Sequence, residues 1–160
     1  MSLEIRESTR ADTKVILGFI TELAIYEKAE HQVLTDAAQI ERSLFDDPSP
    51  AAKALICLLD GEPIGFAVYF LSYSTWLGRK GVYLEDLFVS AQHRGVGAGK
   101  ALLRHLARIA YDSGCARFEW SVLDWNQPAI DFYTSIGAQP QDEWVRYRLE
   151  GETLKNFALG

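Results

Sequence analysis

The spacing of hydrophobic residues predicts an amphipathic helix near the start of the chain. Apolar residues recur there at intervals of three and four, as Ile16, Phe19, Ile20 and Leu23. This spacing places them on one face of a helix. Thr9 followed by Asp12 resembles a capping box with Asp in the place of Glu, so we expect the helix to begin near residue 10.

The next part of the chain is predicted to add a short helix and several strands. Thr35 is the expected N-cap of the helix. Two apolar runs, 53–60 and 64–73, are joined by an Asp-Gly-Glu-Pro turn and predict a β-hairpin. A further strand is expected over 82–90, and an additional one over residues 3–7.

The pattern then changes to elements that alternate between helix and strand. A glycine-rich segment leads into a helix that we expect to end at Gly114, followed by a strand over 116–123. Pro128 stands where helices favour a first residue, and Gly137 follows that helix as a C-terminal cap. A late strand is predicted over 144–149. Without internal repeats, this order predicts one α/β domain.

Length and composition restrict the class of protein. The chain has 160 residues, which favours a single domain over 1–160, and its 48% hydrophobic and 24% charged residues exclude disordered and fibrous classes. The 22 Asp and Glu residues outnumber the 16 Lys and Arg residues, for a net charge of −6. This balance argues against a nucleic-acid partner, which requires a basic surface, and is compatible with a cationic ligand.

Cysteine usage and the first residues indicate where the protein works. Cys57 and Cys115 cannot form a disulfide framework, and no Cys/His cluster indicates a metal site. The start of the chain is charged and has no apolar signal segment, and the longest apolar run, 54–59, is too short to span a membrane. We therefore expect a cytoplasmic protein with no metal and no membrane partner.

A strand, a glycine loop and a helix at 82–111 form the most informative segment. Glycines allow backbone N–H groups to approach a phosphate, and a helix N-terminus adds unpaired donors. The P-loop pattern fails because Arg94 and Ala101 stand where Gly and Ser or Thr are required. The dinucleotide pattern fails because Lys100 and Leu102 occupy its last glycine position in the two possible registers.

The remaining pattern, Arg-x-x-Gly-x-Gly at 94–99, resembles the acetyl-CoA pyrophosphate loop of the GNAT superfamily of N-acetyltransferases. The segments Tyr-Leu-Glu-Asp-Leu-Phe-Val at 83–89 and Trp-Asn-Gln-Pro-Ala-Ile-Asp-Phe-Tyr at 125–133 flank the loop in the order usual for that family. Glu-Leu-Ala-Ile-Tyr-Glu at 22–27 resembles the first helix of the diamine and polyamine branch, which comprises the spermidine/spermine and thialysine acetyltransferases. The resemblance extends from about residue 4 to residue 150.

This resemblance implies an α/β (α+β) fold with a mixed, mostly antiparallel central sheet, flanking helices and a splayed acetyl-CoA cleft. It implies acetyl-CoA as the cosubstrate, with its pantetheine arm on the exposed strand backbone and its pyrophosphate on the loop amides. The implied cofactor-binding residues are Leu87, Phe88, Val89, Arg94, Gly95, Val96, Gly97, Ala98, Gly99, Lys100, Asn126, Gln127, Pro128 and Ala129.

Acetyl transfer to an amine requires the nitrogen to lose a proton, because a lysine-like amine with a pKa of about 10.4 is almost wholly charged at pH 7. A carboxylate can accept that proton, and Glu85 is our candidate base. The resemblance implies that Tyr133 is the general acid for the departing thiolate. In a regular strand Glu85 and Asp86 face opposite sides, a limit that a β-bulge would relax. The expected substrate-binding residues are Tyr26, Glu27, Glu85, Asp86, Glu119, Trp120 and Ser121.

The acidic residues favour a small di- or polyamine or a diamino acid as the acceptor. One departure weakens spermidine: polyamine enzymes carry Asp-Pro before the tryptophan of this loop, whereas Ser74-Thr75 precede Trp76 here. Other acceptors stay open, namely a protein amine, an amino acid or an antibiotic, as does a non-catalytic CoA-binding module.

Members of this branch commonly form homodimers. The alternative roles are a packing aromatic for Tyr133, a solvated strand carboxylate for Glu85 and a solvated loop charge for Arg94. Tyr26 and Glu27 have the alternative of forming only the polar edge of the first helix, and Asn126 is also a suitable N-cap for the helix that follows it.

Overall fold

The computed structural model describes residues 2–160, which form two compact units, the first ending at Ser121 and the second being Val122–Gly160. The strands of the first unit are β1 (Leu3–Glu7), β2 (Lys53–Leu59), β3 (Glu62–Ser74), β4 (Arg79–Val89) and β5 (Arg117–Trp120). Its helices are α1 (Thr13–Tyr26), α2 (Ala37–Glu41) and α3 (Ala98–Asp112). None of the helices in residues 2–160 is long and apolar enough to cross a bilayer.

The sheet has the strand order β1-β2-β3-β4-β5. The first three pairings are antiparallel and only β4 and β5 are parallel. The predicted hairpin is confirmed as β2 and β3, whose turn contains Asp60 and Gly61 with φ angles of 49° and 86°. This mostly antiparallel sheet with flanking helices confirms the predicted fold class.

Helix α1 covers one face of the sheet with the apolar stripe seen in the sequence. Ile16 is fully buried, and the Phe19 ring lies 5.4 Å from that of Phe66 and 6.5 Å from that of Phe88, measured between centroids. Burying a side chain of this size contributes roughly 1.5 to 3 kcal/mol. The side chain of Phe88 therefore belongs to the core, and only its backbone is left for the predicted cofactor contact.

The predicted capping box is present, and it caps a single 3₁₀ turn, Arg10–Asp12, that runs directly into α1. The Asp12 carboxylate accepts the Thr9 backbone N–H at 2.7 Å, and the two nitrogens of the Arg6 guanidinium donate to it at 2.8 and 3.0 Å. The cap of α2 is Asp36, whose carboxylate accepts the Gln39 N–H at 2.8 Å. The predicted cap, Thr35, is one residue too early to reach that third amide of the helix.

The second unit contains α4 (Gln127–Ser135) and α5 (Gly151–Leu159). The helix predicted at Pro128 is confirmed as α4, whereas α5 was not predicted. The strand predicted over 144–149 is wrong, since residues 138–150 form neither helix nor strand. A strand requires a partner for its N–H and C=O groups, and Val122–Gly160 contains none. Trp144 and Tyr147 are 66% and 91% exposed in this segment.

Candidate active site

A fork in the sheet opens between β4 and β5. Their parallel ladder begins at Gly81↔Arg117 and ends at Leu84↔Trp120. Strand β4 continues to Val89 and stays paired with β3, so within residues 2–160 its last five residues lack a β5 partner. The unpaired backbone groups on that edge can hydrogen-bond an extended ligand as an added strand would.

A hydrogen bond lies at the closed end of this fork. The Tyr83 hydroxyl and the Ser121 hydroxyl are 2.8 Å apart, and the Tyr83 ring packs on Phe70 with centroids 5.1 Å apart. The predicted acceptor residues Glu119 and Trp120 lie opposite Tyr83 and Leu84 in the ladder. Sequence reasoning missed Tyr83, although it stands two positions before Glu85 in an alternating strand.

A β-bulge in β4 lies beside the fork. Val68 of β3 pairs with Asp86, but its neighbour Tyr69 pairs with Leu84, so Glu85 is the extra residue. This register shift is a β-bulge. At a bulge, Glu85 and Asp86 do not have to point to opposite faces of the sheet as neighbours in a regular strand do. Glu85 is exposed, whereas Asp86 is half-buried.

Three predicted acceptor carboxylates come together at the bulge. Burial raises the pKa of Asp86 to about 6, and the negative charges of Glu85 and Glu27 add to the rise. Glu27 caps the end of α1, and burial also raises the pKa of its carboxyl. Within residues 2–160, no group of three or more His, Cys, Asp or Glu is arranged to hold a metal ion. The cluster carries excess negative charge that a cationic ligand can neutralise.

The predicted glycine loop connects β4 to α3. Gly95 and Gly97 have φ angles of 90° and 85°, which L-residues rarely adopt, and a Cβ at either position meets nothing within 4 Å. Gly97 is the N-cap of α3, so the N–H groups of the first turn have no intrahelical partner. A loop with an open face and free amides fits the pyrophosphate of acetyl-CoA.

Arg94, the first residue of the loop pattern, packs against aromatic side chains. Its guanidinium carbon lies 5.0 Å from the Tyr26 ring centroid and 5.6 Å from that of Phe88, and its Nε donates to the Val89 carbonyl at 3.3 Å. The side chain is thus held against β4 and the end of α1. The sequence carries no signal for this contact, because Tyr26 and Arg94 are brought together only by the docking of α1 on the sheet.

Ser90 and His93 support the start of the loop and were also missed. The buried Ser90 hydroxyl is 2.8 Å from His93 Nδ1, and the Ser90 N–H donates to the Ile64 carbonyl at 2.8 Å. The spacing Ser-x-x-His at the end of a strand is a signal that could have indicated this bond.

The predicted residues of the second unit lie on α4 and at its start. The Asn126 side chain accepts the Ala129 N–H at 3.5 Å as the N-cap, and Gln127 Nε2 donates to Asp131 at 2.7 Å. Tyr133 is half-buried, and its ring centroid lies 5.9 Å from that of Phe132. The cofactor role of Asn126 to Ala129 and the acid role of Tyr133 stay predictions.

Comparison with known proteins places these features in a family. Residues 16–138 match the sequence model of the acetyltransferase (GNAT) family. A thialysine N-epsilon-acetyltransferase from Sus scrofa is 37% identical over 168 aligned residues, which cover 98% of each chain. A spermidine/spermine N(1)-acetyltransferase-like protein 1 from Homo sapiens is 33% identical over 97% of this chain and 24% of its own.

Comparison with solved structures gives the same fold. The structure of an integron cassette protein from the mobile metagenome of V. cholerae superposes with a TM-score of 0.82 and 29% identity, covering 100% of this chain and 99% of that one. Together with the forked sheet and the glycine loop, these likenesses show that the chain belongs to the GNAT acetyltransferase family and is an acetyl-CoA-dependent N-acetyltransferase.

Proposed function

We propose that this enzyme acetylates a primary amine of a small di- or polyamine or a diamino acid by direct attack. The observation that carries the proposal is the cluster of Glu27, Glu85 and Asp86 beside the β4 bulge, where mutual repulsion contributes to the raised pKa of Asp86. A second ammonium group on the acceptor relieves that repulsion. A monoamine brings only one positive charge to the three carboxylates and relieves less of the repulsion, at a cost in binding.

The carboxylates also suit the proton transfer. Glu85 is the proposed base: it lies on the bulge, next to the unpaired backbone of β4, and is exposed enough to take a proton from the acceptor ammonium directly or through water. Asp86 is the second candidate. Its pKa of about 6 leaves it mostly ionised at pH 7 and closer in basicity to an amine than an ordinary carboxylate is.

Release of the CoA thiolate needs a proton donor, and the developing oxyanion needs a hydrogen-bond donor. We propose that the Tyr133 hydroxyl protonates the leaving sulfur, because a phenol with a pKa of about 10 can donate to a thiolate as the C–S bond breaks. A free N–H group on β4 beyond Leu84 is the proposed donor to the developing oxyanion.

Acetyl-CoA supplies the activated acetyl group as a thioester when it is bound. Leu87 to Val89 are proposed to bind its extended arm through their backbone, and Arg94 to Lys100 its pyrophosphate through loop and helix amides. Asn126 to Ala129 are proposed to orient it. The family match over 16–138 crosses the boundary between the two units, which supports one acetyltransferase domain over 1–160.

Two further parts of the proposal concern the acceptor and the assembly. Two of the relatives are named for thialysine and for spermidine or spermine, which supports a small amine. The absent Asp-Pro before Trp76 favours a short diamine or a diamino acid over spermidine.

A homodimer is proposed because large apolar side chains at 144–159 are exposed, and light scattering of the purified chain tests it.

A CoA-release assay across spermidine, putrescine, thialysine, lysine and a histone-like peptide tests the acceptor. We expect turnover with at least one of the small diamines or diamino acids and a much lower kcat/KM for the peptide. A flat response to all five contradicts the diamine proposal. Preference for the peptide favours the alternative in which the acceptor is a protein amine.

A further inference from the structure

The stack of Arg94 on Tyr26 links two parts of the site that the proposed function treats separately. Tyr26 ends α1, directly before Glu27 of the acidic cluster. Arg94 begins the glycine loop that is proposed to bind the pyrophosphate. The 5.0 Å separation between the guanidinium and the Tyr26 ring lies within the range of a cation–π contact.

Two other contacts hold the Arg94 side chain in this position. The same guanidinium lies 5.6 Å from the ring of Phe88, which is 6% exposed and packs in the core against Phe19. Its Nε donates to the Val89 carbonyl at 3.3 Å, next to the end of β4. The Arg94 guanidinium is therefore held by a hydrogen bond to β4 and by contacts with the faces of two aromatic rings.

We infer that Tyr26 is a positioning residue for acetyl-CoA, acting through Arg94, and not solely a contact for the acceptor. Holding the Arg94 side chain fixes where the chain enters the loop of Gly95 and Gly97, because these glycines have no side chain of their own to restrict the loop backbone. The inference rests on the proposed pyrophosphate site. A residue on the acceptor side of the molecule then affects cosubstrate affinity even when no acceptor is present.

A double-mutant cycle read by calorimetric binding of CoA, without any acceptor, tests this inference. Tyr26→Leu removes the aromatic face, Arg94→Gln removes the cation, and Tyr26→Phe is the matched control that keeps the ring. We expect Tyr26→Leu to weaken CoA binding about three- to fivefold in the wild-type background, the size of an exposed cation–π contact, and less than 1.5-fold beside Arg94→Gln. Tyr26→Phe is expected to restore most of the affinity.

The same measurements can also contradict the inference. An equal loss from Tyr26→Leu in both backgrounds, no loss in either, or a Tyr26→Phe variant as weak as Tyr26→Leu overturns the inference. The KM values give a second readout: Tyr26→Leu should raise the KM for acetyl-CoA, whereas a residue that contacts only the acceptor changes the acceptor KM alone.

Folding and the proposed function are controlled separately. Circular dichroism and thermal unfolding identify a variant that fails to fold, in which case Tyr26→Gln repeats the cycle with a more soluble side chain. Absence of CoA binding by the wild-type protein contradicts the proposed cosubstrate site itself. Failure of every diamine in the turnover assay leaves the cycle interpretable, because no acceptor is present in it.

Discussion

Leu84 and Trp120 are the last pair of the parallel ladder between β4 and β5. Directly beyond Leu84 the bulge at Glu85 begins, and β4 runs on without a β5 partner. The point where the two strands separate is thus also the point where the carboxylates gather. The open backbone edge of β4 and the carboxylates of the proposed acceptor site therefore begin at the same residue of the strand.

The two kinds of glycine in the loop should respond differently to a methyl group. Gly97→Ala places a side chain at a φ of 85°, which costs roughly 1 to 2 kcal/mol, and we expect CoA binding to weaken about tenfold. Gly99→Ala is the matched control. Its Cβ would meet the Leu87 and Val89 side chains only at 3.9 and 4.0 Å, an ordinary contact, so its loss should be much smaller. Calorimetry with CoA measures both, and equal losses would contradict the role of the left-handed conformation.

The two carboxylates at the bulge can be separated by the pH dependence of kcat/KM. Asp86 is half protonated near pH 6, so we expect an acidic limb there that Asp86→Asn removes. Glu27→Gln should move this limb to lower pH, because it removes one of the charges that raise the pKa of Asp86. If Glu85 is the base, Glu85→Gln shifts the profile towards higher pH, where more acceptor is already neutral. An unaltered profile removes Glu85 from that role.

Asp86 should reduce the stability of the fold at neutral pH. Its folded pKa of about 6 lies above the unfolded value of about 3.9, so the unfolded state releases its proton first and stability falls as the pH rises from about 4 to 6. We expect Asp86→Asn to increase the free energy of unfolding by about 1 to 2 kcal/mol at pH 8 and by far less at pH 4. Urea unfolding at the two pH values measures this, and an equal gain at both would contradict it.

Tyr133→Phe tests the proposed general acid. Removing the hydroxyl should lower kcat at least tenfold, while the affinity for acetyl-CoA changes little because the ring stays in place. Tyr111→Phe is the matched control: Tyr111 is 81% exposed on α3 and should keep the wild-type kcat. Equal losses of kcat and cosubstrate affinity in Tyr133→Phe would indicate a packing role instead.

The Arg6–Asp12 pair should stabilise the fold except in acid. The hydrogen bonds from Arg6 hold the pKa of Asp12 below its ordinary value, so the stabilisation is complete above the unfolded pKa of about 3.9 and is lost as the pH falls through the lower folded value. Asp12→Asn should cost about 1 to 2 kcal/mol at pH 7, since Arg6 is partly exposed, with the difference shrinking towards about pH 2. Asp112→Asn, from the exposed pair with Arg108, should cost less than about 0.5 kcal/mol in the same urea titrations.

Local pattern was sufficient for the elements that local physics specifies. The apolar stripe of Ile16 and Phe19 predicted α1, because helical period and burial coincide on one face. The glycine spacing at 95–99 predicted a loop before a helix, since left-handed backbone angles favour glycine. The strand predicted at 144–149 is wrong for the converse reason: a strand depends on a partner elsewhere in the chain.

The sequence by itself therefore determined the class of fold, the glycine loop before α3 and the residue types proposed for the site. Only the tertiary structure decided which residues meet. The pairing of β3 with β4 selects Glu85 as the bulge residue, and burial with two neighbouring charges raises the pKa of Asp86. The docking of α1 brings Tyr26 to Arg94. These relationships depend on long-range packing and on the electrostatic environment that it creates, which no spacing along the chain encodes.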